Sequence, residues 1–436
     1  MTVRIAHISD THLGTRFRSG IKQNVWAEEM RIRLLENDFY ERFEEVFQRI
    51  ANADPPVKLV IHSGDLYDTP TPNNPIQPPV VAREVAISVL NEFIEKTGIP
   101  VLAIEGNHGL YRTLKVSLLD SLSLAVEGLD VFTQVDLINA LRDDKPLKKS
   151  YDDLEVFCFP FIDHAVLEAT DKLADFNEWI TTQQTPRSDV PSIGVAHGMS
   201  QDKSLYSAIL SMGYDYVALG HDHIQQKQSA RAWYSGSIER WRFDEANHKK
   251  GYLIVEVAPG KQPKVTPTLF EFSRPVFDED ISIEPDDTVE SVIATVESWL
   301  QDKGLVAKWN PATAARVRLT FQGESPRLSG LDLNSAMELF RAEVLRDESR
   351  YNVVQLVWPP KRSVIDHDSA AYPEIVSEYL IEDPEQDFRS YLESEELPEE
   401  YDSEKLISIA VKALQFAVSG KGEKLTPELV FEEEKT

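Results

Sequence analysis

Along the first half of the chain, short apolar runs keep ending in polar residues of the same few kinds. Residues 3–12 (VRIAHISDTH), 57–65 (VKLVIHSGD), 99–108 (IPVLAIEGNH), 192–197 (SIGVAH) and 214–223 (YDYVALGHDH) each predict a buried strand that finishes in Asp, Asn or His. Between them the apolar spacing turns helical. Phe39, Phe43, Val46, Phe47 and Ile50 predict a helix over 38–51, with Asp38 and Glu41 as a capping box, and Val85, Val89, Leu90 and Phe93 predict one over 81–96. Further helices are expected over 116–126, 165–182 and 203–212, and a buried strand over 154–161. Residues 232–239, 251–257 and 264–272 read as antiparallel strands. Strands alternating with helices, then a β-rich tail, predict an α/β fold: two sheets packed as a sandwich and flanked by helices.

The pattern restarts after Ser273-Arg274-Pro275. Strand 280–284, helix 288–300, strand 316–322, helix 331–346 and strand 351–358 predict a small α+β domain, with Asp287 and Glu290 capping its first helix. Pro359-Pro360 opens a last region of helical spacing, in which residues 403–419 are apolar nearly all round and need cover from more than one surface. The expected organisation is a first domain over 1–272, a second over 273–360, and an acidic linker with a helical region over 361–436.

Charge narrows the partners. The 436 residues carry a formal net charge of −28, which taken as a whole repels nucleic acid. The excess is uneven: residues 361–436 hold 20 acidic against 8 basic side chains, whereas Arg16, Arg18, Lys22, Arg31 and Arg33 share their stretch with only Glu28 and Glu29. The global charge does not decide the partner, but any nucleic-acid contact must be local or helped by a second protein. The single cysteine, Cys158, excludes an internal disulfide and a thiolate metal site. With no charged-then-apolar leader and no apolar run long enough to span a bilayer, a soluble, cytoplasmic protein without a membrane partner is expected.

Candidate chemistry gathers at the strand ends, in Asp10, His12, Asp65, Asn107, His197, His221 and His223. A lone histidine on an apolar strand is more often a core residue; the ordered set is what counts. Three oxygen donors and four imidazoles favour mid-row divalent ions such as manganese or iron. Seven donors are too many for one closed tetrahedral site and suit two ions, as in two-metal phosphoesterases. His7 and His62, inside the strands, read as buried groups that orient ligands. His164, His248 and His367 carry no expectation, and Trp233 and Trp241 read as core or rim packing.

The order D-x-H, G-D-x-x-D, G-N-H, H-G, G-H-x-H resembles the calcineurin-like metallophosphoesterases. More narrowly, HISDTHLG (7–14), HSGDLYD (62–68), GNH (106–108) and LGHDH with YSGSIER (219–240) are similar to the SbcD family, the nuclease subunits of a DNA double-strand-break repair complex. The similarity is strong over 1–272. It is weaker over 273–360, where ARVRLTFQG resembles that family's capping domain; the tail has the position of its ATPase-binding helices without a specific motif.

The resemblance implies one metal held by Asp10, His12 and His223, a second by Asn107, His197 and His221, and Asp65 bridging the two, with Mn²⁺ as the expected ion. It implies His108 as the general acid that protonates the leaving oxygen, paired with Asp68, the second aspartate of G-D-x-x-D. The other reading of His108 is support of the metal ligands. An acidic residue often follows G-N-H in that family; here it is Gly109. The implied activity is a metal-dependent DNA nuclease, a 3′-to-5′ exonuclease on double-strand ends and an endonuclease on single strands. The implied partners are DNA, an SbcC-type SMC-like coiled-coil ATPase and a second copy in a homodimer. Arg16, Arg18 and Lys22 are then candidates for backbone phosphate contacts. Two alternatives stay open. A stand-alone phosphodiesterase for cyclic nucleotides or other small phosphodiesters has no evident use for the residues after 272. A non-catalytic scaffold has no need of Asp68 and His108.

Overall fold

The computed structural model describes residues 2–17, 26–69, 76–109, 117–163, 167, 170–198, 203–346 and 349–359. The expected tail over 361–436, His164, Arg18 and Lys22 lie outside the described residues. Residues 1–361 form one compact unit.

In chain order the strands of the first two sheets are β1 (Val3–Ile8), β2 (Leu59–His62), β3 (Val101–Ile104), β4 (Leu129–Phe132), β5 (Lys148–Tyr151), β6 (Leu154–Phe159), β7 (Ser192–His197), β8 (Tyr216–Gly220), β9 (Gln226–Lys227), β10 (Ala232–Tyr234), β11 (Gly251–Val257) and β12 (Lys264–Leu269). Helices α1 (Trp26–Ala51), α2 (Val80–Thr97), α3 (Leu118–Ala125), α4 (Gln134–Arg142), α5 (Leu173–Gln183) and α6 (Lys203–Ser211) lie between them. One sheet runs β12-β11-β1-β2-β3-β4 and the other β5-β6-β7-β8-β10-β9. Strands β1 to β4 are parallel in one and β6, β7, β8 and β10 in the other, so their C-terminal ends point one way.

Period-two alternation explains the layering. Val3 and Ile5 of β1 join Leu59, Ile61, Leu102 and Ile104 in a core shared with Val156, Cys158 and Val195 of the second sheet. Ala6 and Ile8, on the other face, pack with Phe43, Phe47, Leu90 and Phe93 of α1 and α2. The β-rich tail is partly as expected: β11 and β12 form an antiparallel hairpin against β1, but β10 pairs parallel to β8.

Beyond residue 275 the structure shows β13 (Val276–Ile283), α7 (Val289–Asp302), β14 (Ala315–Gly323), α8 (Gly330–Val344) and β15 (Val353–Val357), the parallel order β13-β14-β15 enclosing a core of its own. The cap of α7 differs from the expectation. Thr288 is the N-cap and exchanges bonds with Ser291, while Asp287 accepts from Ser291 Oγ at 2.7 Å.

Three arginines join this unit to the first. Arg31 donates to the carbonyls of Val353 and Arg346 at 2.6 and 3.0 Å and stacks over Trp309. Arg274 forks onto Asp38, at 2.8 Å from Oδ1, and onto the carbonyls of Pro311 and Ala314. Arg316 reaches the carbonyls of Arg240 and Trp241. One expectation falls here. Helix α1 begins twelve residues before 38, so Asp38 sits mid-helix as an ion-pair partner and not as a cap. Arg31 and Arg33 are helical, and Arg31 is buried in protein contacts, out of reach of a phosphate.

Candidate metal centre

Every expected donor stands at the C-terminal end of a strand or within four residues beyond it. The chain turns sharply there. Asp10, His12, Asp65 and His221 adopt positive φ of 52°, 44°, 55° and 91°, a region that costs a residue with a side chain on the order of 1 kcal/mol or more and is tolerated where surroundings enforce it. This corrects the expected strand over 3–12. β1 has ended at Ile8, and left-handed turns, not strand alternation, aim the two side chains.

The donors converge. Atoms of Asp10, His12 and His223 lie within 4.8 Å of one another, as do those of Asp65, His197 and His221, and those of His12, Asp65 and His108. Asn107 Oδ1 is 2.9 Å from His197 Nε2 and 2.8 Å from His221 Nδ1. His197 Nε2 is 3.2 Å from Asp65 Oδ2, and the Nε2 atoms of His12 and His223 are 3.0 Å apart. All seven expected donors thus meet at one rim. Asp65, Asn107, His221 and His223 border a cleft of about 420 Å³ whose walls include His108 and Trp241.

Hydrogen-bond partners assign the ring protons. His223 donates Nδ1–H to Glu245 Oε1 at 2.8 Å, and His197 donates Nδ1–H to the Ser63 carbonyl at 2.8 Å. Both Nε2 atoms are thereby turned into the site. That of His197 faces the oxygens of Asp65 and Asn107, an arrangement that needs a proton or a metal ion between them. Nitrogen and oxygen donors without thiolate fit mid-row divalent ions, so the residues fit the metal pair. Electrostatics agrees. Burial alone lowers the pKa of His197, but the Asp65 carboxylate outweighs it and raises the value to about 9. Burial raises that of Asp65, and the charge of His197 overrides it to hold the carboxyl well below its usual range. The carboxylate draws one positive charge into the site, which a proton or a metal ion can supply. Burial lowers His12 and His221.

His108 donates its main-chain N–H to Asp65 Oδ1 at 2.7 Å, and its Nδ1 to the main-chain carbonyl of Asp68. The Asp68 carboxylate lies 3.6 Å from His108 Nδ1 and 3.3 Å from His12 Nδ1. Asp68 therefore fixes the His108 tautomer through its backbone, leaving Nε2 to meet a substrate. His7 bonds Tyr216 and Ser63, and His62 bonds Thr11, all buried. Trp241 stacks on His12 at 4.8 Å and meets His108 edge-on at 5.6 Å.

The profile of the calcineurin-like phosphoesterases matches residues 3–225. The chain belongs to the calcineurin-like phosphoesterase family. The two mixed sheets flanked by helices are the fold of such a phosphoesterase. Among curated proteins, the phosphoesterase is 27% identical over 316 residues to the DNA double-strand break repair protein Mre11 of Haloferax volcanii, covering 70% of this chain and 60% of that protein. It is 27% identical over 228 residues to the protein of the same name from Saccharolobus solfataricus, covering 51% and 49%. It is 27% identical over 327 residues to the SbcD subunit of the nuclease SbcCD of Staphylococcus saprophyticus, covering 69% and 74%. The phosphoesterase thus spans three fifths or less of these two Mre11 proteins.

Three neighbours of the donors escaped the sequence reading. Glu245, on a short 3₁₀ helix at Phe243–Glu245, holds His223 and is itself 2.6 Å from the ammonium of buried Lys250. Burial raises the Glu245 pKa, but His223 and Lys250 override it and keep the carboxylate ionised; burial lowers Lys250. His248, given no role from sequence, lines the cleft. Residues 241–250 lack any apolar period, so an acid and a base there look like solvated surface. The one signal is their place, just ahead of an apolar strand and just behind Y-S-G-S-I-E-R. Among the described residues no helix is long and apolar enough to cross a membrane.

Proposed function

We propose that this phosphoesterase is a two-metal DNA nuclease of double-strand-break repair. It cuts double-strand ends 3′-to-5′ and single strands internally, with Mn²⁺ as the working ion. Asp10, His12 and His223 would hold one ion, Asn107, His197 and His221 the other, and Asp65 would serve both. Two such ions, when bound, make hydroxide available near neutral pH and draw charge from a phosphodiester. The protein's own part is positional. His108, its Nδ1–H committed to the Asp68 carbonyl, would act as the imidazolium, giving its Nε2 proton to the leaving oxygen and ending neutral. Trp241 walls off His12 on one side of the cleft.

The observation that carries the hydrolytic reading is the convergence of all seven donors beside a cleft that His108 lines. DNA is favoured over a small phosphodiester by the length of the similarity to proteins named as nuclease or break-repair subunits, 316 and 327 residues, which exceeds the family match over 3–225. The further domains, over 273–360 and 361–436, would serve DNA and an SMC-like ATPase partner of the SbcC type, in a cytoplasmic homodimer. The test is an end-labelled linear duplex incubated with Mn²⁺ and either wild type or His108→Ala. Wild type is expected to shorten the duplex. The variant is expected to keep its metals and DNA affinity while losing cleavage at least a hundredfold. Wild type that spares DNA and hydrolyses a cyclic nucleotide refutes the nuclease.

A further inference from the structure

Glu245 and Lys250 take no part in the chemistry above, yet both are buried and both hold His223. The two carboxylate oxygens of Glu245 face different donors: Oε1 takes Nδ1–H of His223 at 2.8 Å and Oε2 takes the ammonium of Lys250 at 2.6 Å. Lys250 spends its remaining donors on Ser237 Oγ at 2.7 Å and on the main-chain carbonyl of His223 at 3.1 Å. The ammonium thus grips His223 by its backbone directly and by its ring through Glu245.

We propose that Glu245 and Lys250 are positioning residues for one metal only. Lys250 anchors Oε2 and so fixes the carboxylate with Oε1 accepting from His223 Nδ1, and this keeps the His223 Nε2 lone pair aimed past His12, toward Asp10 at 3.9 Å. Partners of this kind typically set metal affinity by tenfold to a hundredfold. The inference rests on the two-ion reading of the site.

The arrangement makes a counter-intuitive prediction. In Glu245→Gln the side chain keeps its shape but offers one acceptor oxygen. The charged ammonium competes for it better than a neutral ring. The amide NH₂ then faces His223 Nδ1, which must accept, so the ring proton moves to Nε2 and that atom can no longer bind a cation. Replacing the ammonium as well, with Lys250→Met, frees the amide oxygen to accept from Nδ1 and restores the tautomer. A second lesion should therefore repair the first.

Titration calorimetry with Mn²⁺, and the spin-coupled resonance signal of a paired Mn²⁺ site, read this without any cleavage assay. Wild type is expected to bind two ions. Glu245→Gln is expected to bind one as wild type does and the other about tenfold to a hundredfold more weakly, with the paired signal replaced by that of isolated Mn²⁺. Glu245→Gln with Lys250→Met is expected to recover most of the loss. Nitrogen-15 shifts of the His223 ring in chelator-treated protein give a second readout: Nδ1–H in wild type and the double variant, Nε2–H in Glu245→Gln. Equal affinities in all three proteins, equal loss in both variants, or Nε2–H in wild type overturn the proposal. Two ions bound normally by a wild type that spares DNA refute the nuclease and leave this inference standing. Fewer than two ions refute both.

Discussion

A methyl group at Gly106 would lie 2.0 Å from Asp65 Oδ1 and 2.5 Å from the Asp65 main-chain nitrogen. That is far inside contact distance, so Gly106→Ala must push away the carboxylate proposed to bridge the ions. Displacements near 1 Å in a reacting constellation cost about a hundredfold in rate. Mn²⁺ titration and duplex cleavage are both expected to fail in this variant, which exposes no new surface. Retention of full activity would show that Asp65 is not held where this geometry needs it. Gly64 and Gly106 flank Asp65 and Asn107 for this steric reason, since a side chain at 64 would enter the His197 ring. The donors themselves were legible in sequence because each is a polar residue where an apolar run breaks off. How they are aimed was not: positive φ at Asp10 and His12 is set by bonds such as Asp10 N to Gly64 O and His12 N to Asp65 O, made with a loop more than fifty residues away.

Among elements, the β13 to β15 unit was foreseen almost strand for strand, since its apolar positions keep a clean period and its core is its own. Helix α1 was foreseen only in its second half, where Phe43, Val46 and Phe47 face the sheet. Its earlier turns carry arginines because one side, around Arg31, is covered by the next unit, whose backbone carbonyls want donors. β4, α4 and β5 were missed because they are short and half-buried, and β5 (KKSY) is a polar edge. The arginine junction can be tested. Removing one partner of a buried ion pair costs roughly 3–5 kcal/mol, because the other charge is left stranded. Arg274→Met is therefore expected to lower stability to urea by about 3 kcal/mol, with part of it recovered when Asp38→Asn is added. Loss below about 1 kcal/mol would assign the junction to apolar packing instead.

For the molecule as a whole, the buried histidines set a pH window. Burial lowers His7 to about 3 and His62 to about 4, each also depressed or helped by charged neighbours to a lesser degree. The unfolded chain takes up protons near 6.5 where the folded one does not, so stability falls as pH drops from about 6.5 toward those values. His197 works in the opposite direction: its raised pKa contributes fully below 6.5 and is lost as pH rises through about 9. Glu245 and Asp65, held low, add to the acid loss. Chelator-treated protein is thus expected to melt highest near pH 6 to 7, with losses on the order of a few kcal/mol by pH 4.5. A melting temperature that stays level from pH 7 to 4.5 contradicts this, and His62→Gln should flatten the acid limb.

The donors are also divided between layers. Asp10, His12, Asp65 and Asn107 follow strands of one sheet, while His197, His221 and His223 end or follow strands of the other. Each proposed ion therefore takes ligands from both sides of the sandwich, like a rivet through two plates. The apolar core already joins the plates, so bound ions would add to that hold: prising the plates apart would have to empty the cradle, and filling it should make the plates harder to part.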